Sequence, residues 1–437
     1  MGGDVGRRCI SDQRAMPMSI ESVVLVISSE RLLYSLADEV EKEIAGICRE
    51  VEKKAYSSHK KVLDQFIELG VTDYNLKGST GYGYNDSARD KLEELYAGIF
   101  KSQSSLVRGQ IISGTHAIAL CLFGILRPGD ELLSVQGTPY DTLLKMIGIS
   151  GREPGSLKDL GISYRQVELL ESGLPDYEGI KKAITGSTKM IYIQRSRGYS
   201  LRPSFSIEMI AALIAFLRKC KQDLIIFVDN CYGEFVEERE PIEAGADIIA
   251  GSLIKNPGGG LAPSGGYLAG KEDLVRMAAN RWTAPGVGAE IGPSQGYIRL
   301  LYQGLYIAPR IVAEALHGAI FAARFFERLG YPAIPYYSEP RTDIIQAVVL
   351  GSEDRVIKFC RGIQSASPVD SMAAPEPWDM PGYDHRVIMA AGTFVQGASL
   401  ELSADAPIRE PYAVYLQGGL SRYYSRLAVI KAASMLP

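Results

Sequence analysis

The run Leu224-Ile-Ile-Phe-Val-Asp229 constrains this chain most, because it stays apolar on both alternating faces until it ends in a carboxylate. A strand of that kind must be covered on both sides, the habit of parallel sheets flanked by helices. Similar short runs recur at Ile111-Ile112, Glu131–Val135, Lys189–Gln194 and Asp247–Ser252, with helical patterns at Ile118–Leu126 and Ile207–Cys220. The alternation predicts an α/β fold, an α/β/α sandwich around a mostly parallel sheet. Upstream, Leu32, Leu33, Leu36, Val40, Ile44 and Ile47 recur at helical spacing from Glu30 to about Leu69. A loop at Gly78–Ser87 and a helix at Arg89–Phe100 follow. Near Tyr306 the character changes to one long amphipathic helix, Ile311–Leu329. Strand-like Ile344–Leu350 and a Pro-rich stretch, Pro368–Pro381, come next. The expected division is an N-terminal extension and helical arm over 1–80, an α/β/α domain over 81–305, and a smaller α+β domain over 306–437.

At ~150 residues per domain, 437 residues predict two to three domains. Fifty-one acidic against 47 basic groups give a formal charge of −4, which argues against a nucleic-acid partner. The longest unbroken apolar run, Met209–Leu217, has nine residues where a membrane span needs ~20. Cys9, Cys48, Cys121, Cys220, Cys231 and Cys360 are scattered without a CxxC pair, which favours reduced thiols and a cytoplasmic setting. His59, His116, His317 and His385 never take metal-ligand spacing, so no metal site is expected. Residues 1 to about 28, with Arg7, Arg8, Arg14 and the short run Val23–Ile27, read as an extension of unassigned role.

Two strand ends carry the chemistry. Asp229 closes one apolar run, and 26 residues later Ile248-Ile-Ala-Gly-Ser252-Leu-Ile-Lys255 closes another with a lysine. Ligands of parallel sheets sit at the carboxyl ends of strands, so a carboxylate and an amine meet at one crevice. Pyridoxal 5′-phosphate needs such a pair: an amine to form the Schiff base and a carboxylate to keep the pyridine nitrogen protonated. In such a pocket desolvation and nearby cations are expected to lower the lysine pKa. The plainer alternative is a turn cap at Asp229 and a solvated charge at Lys255.

Ser113-Gly114-Thr115 lies between a strand and an apolar helix, where backbone N–H groups suit a phosphate, although for an isolated SGT a plain helix cap by Ser113 or Thr115 is the commoner reading. GxxxxGK[ST] and GxGxxG are both absent, against a nucleotide-binding loop or a dinucleotide oxidoreductase. Ser252 offers a hydroxyl to the same phosphate. Gly258-Gly-Gly260 would let backbone approach a ligand. Tyr140, 26 residues past Gly114, offers a ring to stack on the pyridine, with a core role as its ordinary alternative; His116 is a weaker stacking candidate.

The order SGTH, Tyr, VDN, SLIKN resembles fold-type I PLP-dependent enzymes of the cystathionine and methionine lyase group. More closely, GYGYND, SGTHAIALCLFGILRPGDELLS, GTPYDTL, VDNCYGEFVEE, GADIIAGSLIKNPGGGLAPSGGYLAG, PEPWDMPGYD and ELSADAPIREPY are similar to the bacterial methionine gamma-lyase-like family linked to aluminium resistance, from about Glu30 to about Ile430. The resemblance implies Lys255 as the Schiff-base lysine, Asp229 as the pyridinium partner and Tyr140 as the stacking ring. Gly114, Thr115 and Ser252, beside Ser113, would then hold the phosphate. It also implies a homodimer or homotetramer with active sites between subunits. Related lyases bring a Tyr-x-Arg from the neighbouring subunit to the phosphate. Here the stretch is Tyr82-Gly-Tyr84 without arginine, leaving Tyr82, Tyr84 or a substitute in Arg89. For the substrate carboxylate Arg409 is preferred, with Arg426, Arg195 and Arg197 as further candidates.

The expected activity is a PLP-dependent carbon–sulfur lyase on a methionine-, cystathionine- or cysteine-like L-amino acid, eliminating a thiol from Cβ or Cγ to leave a keto acid and ammonia. Competing readings are an aldolase or aminotransferase on the same scaffold, or a non-catalytic PLP-binding stress-response protein.

Overall fold

The computed structural model describes residues 20–151, 154–380 and 382–436, with side chains from Glu30 onward; residues 1–19 of the expected extension lie outside this range. In chain order the elements are α1 (Ile20–Glu68), α2 (Ser87–Phe100), β1 (Ser104–Arg108), α3 (Gly114–Ile125), β2 (Glu131–Ser134), α4 (Asp141–Ile147), β3 (Ser163–Gln166) and α5 (Tyr177–Ala183). Then come β4 (Thr188–Gln194), α6 (Ile207–Cys220), β5 (Ile225–Asp229), β6 (Ile248–Ser252), β7 (Gly266–Gly270), α7 (Glu272–Trp282) and α8 (Ile298–Arg328). The chain ends with β8 (Ala333–Ile334), β9 (Ile345–Val349), α9 (Glu353–Ser365), β10 (Val387–Ala390), β11 (Ser403–Pro407), β12 (Ala413–Gln417) and α10 (Arg422–Ser434).

Seven strands form one sheet in the order β1-β7-β6-β5-β4-β2-β3, in which β3, β2, β4, β5 and β6 run parallel and β7 pairs antiparallel with both β6 and β1. Alternate side chains point to opposite layers. Phe227, Ile248, Ala250 and Tyr192 pack with α3, α4 and α7, whereas Ile226, Val228, Ile249 and Ile191 pack with α2, α6 and α8. The expected sandwich is therefore present, and the continuous apolarity of β5 follows from it. Helix starts are set locally: the Ser113, Ser206 and Ser352 hydroxyls cap α3, α6 and α9 by accepting backbone N–H groups, each worth ~1 kcal/mol.

Three elements differ from expectation. Ile111-Ile112 is not a strand; β1 ends three residues earlier in the less apolar Ser104–Arg108, and Ile111 is buried while Ile112 is exposed. The antiparallel β7 carries glycines at both ends because neighbours crowd them: a Cβ on Gly270 would lie 2.4 Å from the Asp247 carbonyl oxygen. Helix α8 begins at Ile298, not Ile311, and runs through Pro309, so the boundary drawn at 305/306 falls inside one continuous helix. Its side chains Leu301, Leu305, Val312, Leu316 and Ile320 are buried, at roughly 1.5–3 kcal/mol each. Gln295–Arg328 is long and apolar enough to cross a membrane, but 78% of its apolar window is buried in the protein, so it serves as a core helix.

The smaller unit is a five-stranded antiparallel sheet, β10-β11-β12-β9-β8, against which α9 packs, joined by α10. On its other face Ile345, Ala347, Ala413 and Tyr415 pack with Tyr199 of the large unit. That contact brings β11 over the carboxyl ends of the parallel strands.

Candidate active site

β4, β5 and β6 lie side by side in register, Gln194 opposite Asp229 and Asp229 opposite Ala250, so the residues that end them share one edge. A cavity of about 260 Å³ opens there. The large unit contributes Gly114, Thr115, Tyr140, Asp229, Ser252 and Lys255 to its wall; the small unit contributes Tyr383, Ser399, Ser403 and Asp405.

Asp229 is buried. Its Oδ1 accepts the Cys231 backbone N–H at 3.1 Å, and its Oδ2 accepts the Tyr192 hydroxyl at 3.3 Å. Burial raises its pKa, and the Lys255 ammonium pulls the other way. The Lys255 Nζ stands 4.0 Å from the centre of the Tyr232 ring. Desolvation pushes its pKa down, as expected, but Cys231, Tyr232 and Asp229 outweigh it and the net shift is upward. The downward shift expected from neighbouring cations is thus reversed, because the groups around this amine are acids.

Beside Cys231 and Ser252, Ser113 caps α3 by accepting the His116 N–H at 3.0 Å, so its plain structural role and its place on the cavity coincide. Gly114 opens this helix; a Cβ there would sit 3.1 Å from the Cys231 Sγ and 3.4 Å from the Ser252 Cβ. The Thr115 hydroxyl lies 3.1 Å from that of Thr142. The Tyr140 backbone N–H donates to the Gln194 Oε1 at 2.9 Å, and its hydroxyl lies 2.5 Å from that of Tyr383.

The structure does not bring the other candidates to this cavity. Arg195 is fully buried, pairing with Glu237 at 2.7 Å and Glu240 at 3.3 Å and donating to the Asn230 Oδ1 at 2.8 Å; it braces the turn after Asp229 instead of facing a substrate. Arg197 and Arg409 line a neighbouring cavity of about 480 Å³, on the far side of Tyr140 and Tyr199. There Arg197 donates to the Ile334 carbonyl at 3.0 Å and Arg409 to the Tyr199 carbonyl at 3.2 Å. Arg426 pairs with Asp38 of α1 at 2.5 Å. Arg89 donates to the Gly83 and Gly292 carbonyls and fixes the loop that presents Tyr82 and Tyr84, which are 70% and 66% exposed and do not line this cavity. Gly258 and Gly259 serve packing: a Cβ on Gly258 would lie 1.7 Å from the Leu253 carbonyl oxygen, and one on Gly259 2.4 Å from that of Gly304 in α8. His116 accepts the Ile112 N–H at 3.3 Å and does not line the cavity.

Sequence reasoning missed Tyr232, Gln194, Tyr199, Tyr383 and Asp405. Only Tyr232 left a local trace, since it follows Asp229 closely; it takes a φ of 71°, a left-handed conformation rarely adopted away from glycine. Among the described residues no cluster of His, Cys, Asp and Glu forms a metal site. An amine, a buried carboxylate, an aromatic ring and a helix N-terminus around one cavity make a set that fits a flat, phosphorylated pyridine aldehyde.

Comparison with known proteins bears on this set. A family model described as methionine gamma-lyase matches residues 33–436. The uncharacterized protein YnbB of Bacillus subtilis (strain 168) is 50% identical over 406 residues, covering 93% of this chain and 96% of that protein. A carbon-sulfur lyase involved in aluminum resistance from Clostridium novyi NT superposes with a TM-score of 0.90 at 44% identity, over 96% of this chain and 99% of that one. A Listeria monocytogenes structure, provisionally described as a cystathionine beta-lyase involved in aluminum resistance, gives a TM-score of 0.90 at 51% identity over 92% and 100%. The pyridoxal-5′-phosphate dependent protein YhfS of Escherichia coli, at 17% identity and a TM-score of 0.57 over 89% and 96%, shares the fold, which is that of fold-type I enzymes.

Proposed function

The chain belongs to the methionine gamma-lyase family, and from that premise we propose that it is a pyridoxal 5′-phosphate-dependent carbon–sulfur lyase acting on a sulfur-containing L-amino acid. One observation carries the reading: Asp229, buried, and Lys255, half-buried, line the same cavity as the N-terminus of α3. Lys255 would hold the cofactor through its amine, and Asp229 would face the ring nitrogen. Gly114, Thr115 and Ser252, with Ser113, would hold the phosphate at the helix end, and the Tyr140 ring would cover the pyridine. When bound, the cofactor supplies an electron sink for negative charge at the substrate Cα.

The chain's own residues do the rest. Tyr192 and the Cys231 N–H hold Asp229 in one orientation, so its charge would be in place for the ring nitrogen without rearrangement. The Lys255 Nζ, once it is a free amine, takes the proton from the substrate Cα. Tyr140, Tyr199 and Tyr383 wall the cavity and limit water. Departure of the thiol and hydrolysis then leave a keto acid and ammonia.

The proposal extends to assembly and setting: a homodimer or homotetramer in which Tyr82 and Tyr84 of one copy complete the site of another, in the cytoplasm. Their exposed rings, 5.7 Å apart, support the first part; five free cysteines among the described residues, three of them buried, support the second. Product analysis with methionine, cystathionine and cysteine tests the activity. Thiol with keto acid supports it; aldehyde, amino-group transfer or no turnover by the cofactor-loaded protein would each replace it with another reading.

A further inference from the structure

On the wall contributed by the small unit stands a carboxyl group that the reading above does not use. Asp405, on β11, is buried and lines the same cavity as Lys255. Its Oδ2 accepts the Tyr199 hydroxyl at 3.2 Å and the Gln417 Nε2 at 2.8 Å, and its Oδ1 takes no hydrogen bond from the described residues. Among the described residues no arginine lines this cavity. Burial raises the Asp405 pKa to about 6, although Tyr199, Gln417 and Lys255 act to lower it. Tyr232 and Tyr383 face it across the cavity, and Cys360 approaches from α9. The Tyr199 ring packs edge-on against that of Tyr140 at 5.5 Å and lies 6.0 Å from that of Tyr383, and the hydroxyls of Tyr140 and Tyr383 meet at 2.5 Å. A carboxyl with one oxygen unbonded thus stands beside a cluster of three phenols on the cavity wall.

We propose that Asp405 is the proton source for the departing sulfur, giving the proton from its Oδ1 while Tyr199 holds its Oδ2. The inference rests on the lyase reading. When the C–S bond breaks, its electron pair stays on sulfur. The Asp405 carboxyl, protonated on Oδ1, gives its proton to that sulfur while its Oδ2 goes on accepting the Tyr199 and Gln417 hydrogen bonds. The carboxylate left behind takes a proton from solvent before the next turnover. Phenols alone are weak acids near neutrality; a carboxyl whose pKa lies near 6 is better matched to the task.

The test compares S-alkyl and S-aryl cysteines, whose thiolates differ in basicity, on cofactor-loaded wild type, Asp405→Asn and Tyr199→Phe. A general acid contributes about 10²–10⁴-fold for a poor leaving group. The expected result is a fall in kcat at least tenfold larger with the alkyl than with the aryl substrate in either variant, with visible absorbance retained. The double variant should be no slower than the worse single one. In wild type the alkyl profile should decline as pH rises past the Asp405 pKa, and Asp405→Asn should abolish that limb. Equal losses with both substrates, an unchanged pH profile, or a change confined to KM would overturn the proposal. Loss of the cofactor spectrum or of all turnover in wild type would strike the lyase reading itself.

Discussion

Replacing Arg195 by methionine separates a substrate-binding arginine from a structural one. The guanidinium is fully buried between Glu237 and Glu240, and its stem packs against Gly233, where a Cβ would lie 2.5 Å from the Arg195 Cδ. Methionine keeps most of the volume but leaves two carboxylates without their cation. Breaking a buried pair in this way costs about 3–5 kcal/mol. Burial already raises the Glu240 pKa and Arg195 holds it down, so the variant raises it further. A carboxyl whose folded pKa lies above its unfolded value loses stability as pH rises through that folded pKa. The deficit should therefore be small near pH 5 and reach about 3 kcal/mol or more by pH 8. Urea unfolding at both pH values, monitored by circular dichroism, measures it. A loss under about 1 kcal/mol, or an equal loss at both pH values, would refute the structural role. A raised KM with undiminished stability would return Arg195 to the substrate.

Arg426→Ala should cost less than about 1 kcal/mol and leave kcat/KM within twofold, because its partner Asp38 is exposed and their pair is screened by solvent; steady-state kinetics and urea unfolding check both. Gly258→Ala should destabilise by several kcal/mol or prevent soluble expression, since the methyl would strike the Leu253 carbonyl and lie 2.7 Å from the Ala262 Cβ; its unfolding midpoint decides. Gly114→Ala meets only tight contacts and gains helix propensity, so its stability should stay within about 1 kcal/mol of wild type. If α3 holds the phosphate, that variant should still release pyridoxal phosphate on dialysis faster than wild type, and equal retention would argue against the phosphate site.

The parallel core was legible because strands covered on both faces need unbroken apolar runs, as at Leu224–Val228, and those runs end at Asp229 and just before Lys255. What stayed hidden lacks local periodicity. β7 is held by glycines that neighbouring backbone crowds, and α8 carries Pro309 through its middle. The arginines misled because charge on paper says nothing of partners: Arg195 and Arg426 are each satisfied by carboxylates distant in sequence. Asp405 and Tyr383 were invisible as site residues because only the docking of the small sheet brings them over the strand ends. Tertiary juxtaposition decides such positions, and one-dimensional spacing does not record it.

The central claim is that Lys255 is the amine that engages a B6 aldehyde opposite Asp229. Supplying pyridoxal phosphate to the purified chain, reducing with borohydride and sequencing the digest by mass spectrometry tests it most directly. The account predicts a pyridoxyl group on the peptide containing Lys255, with none in Lys255→Ala. A label on another lysine, or none at all, would contradict it.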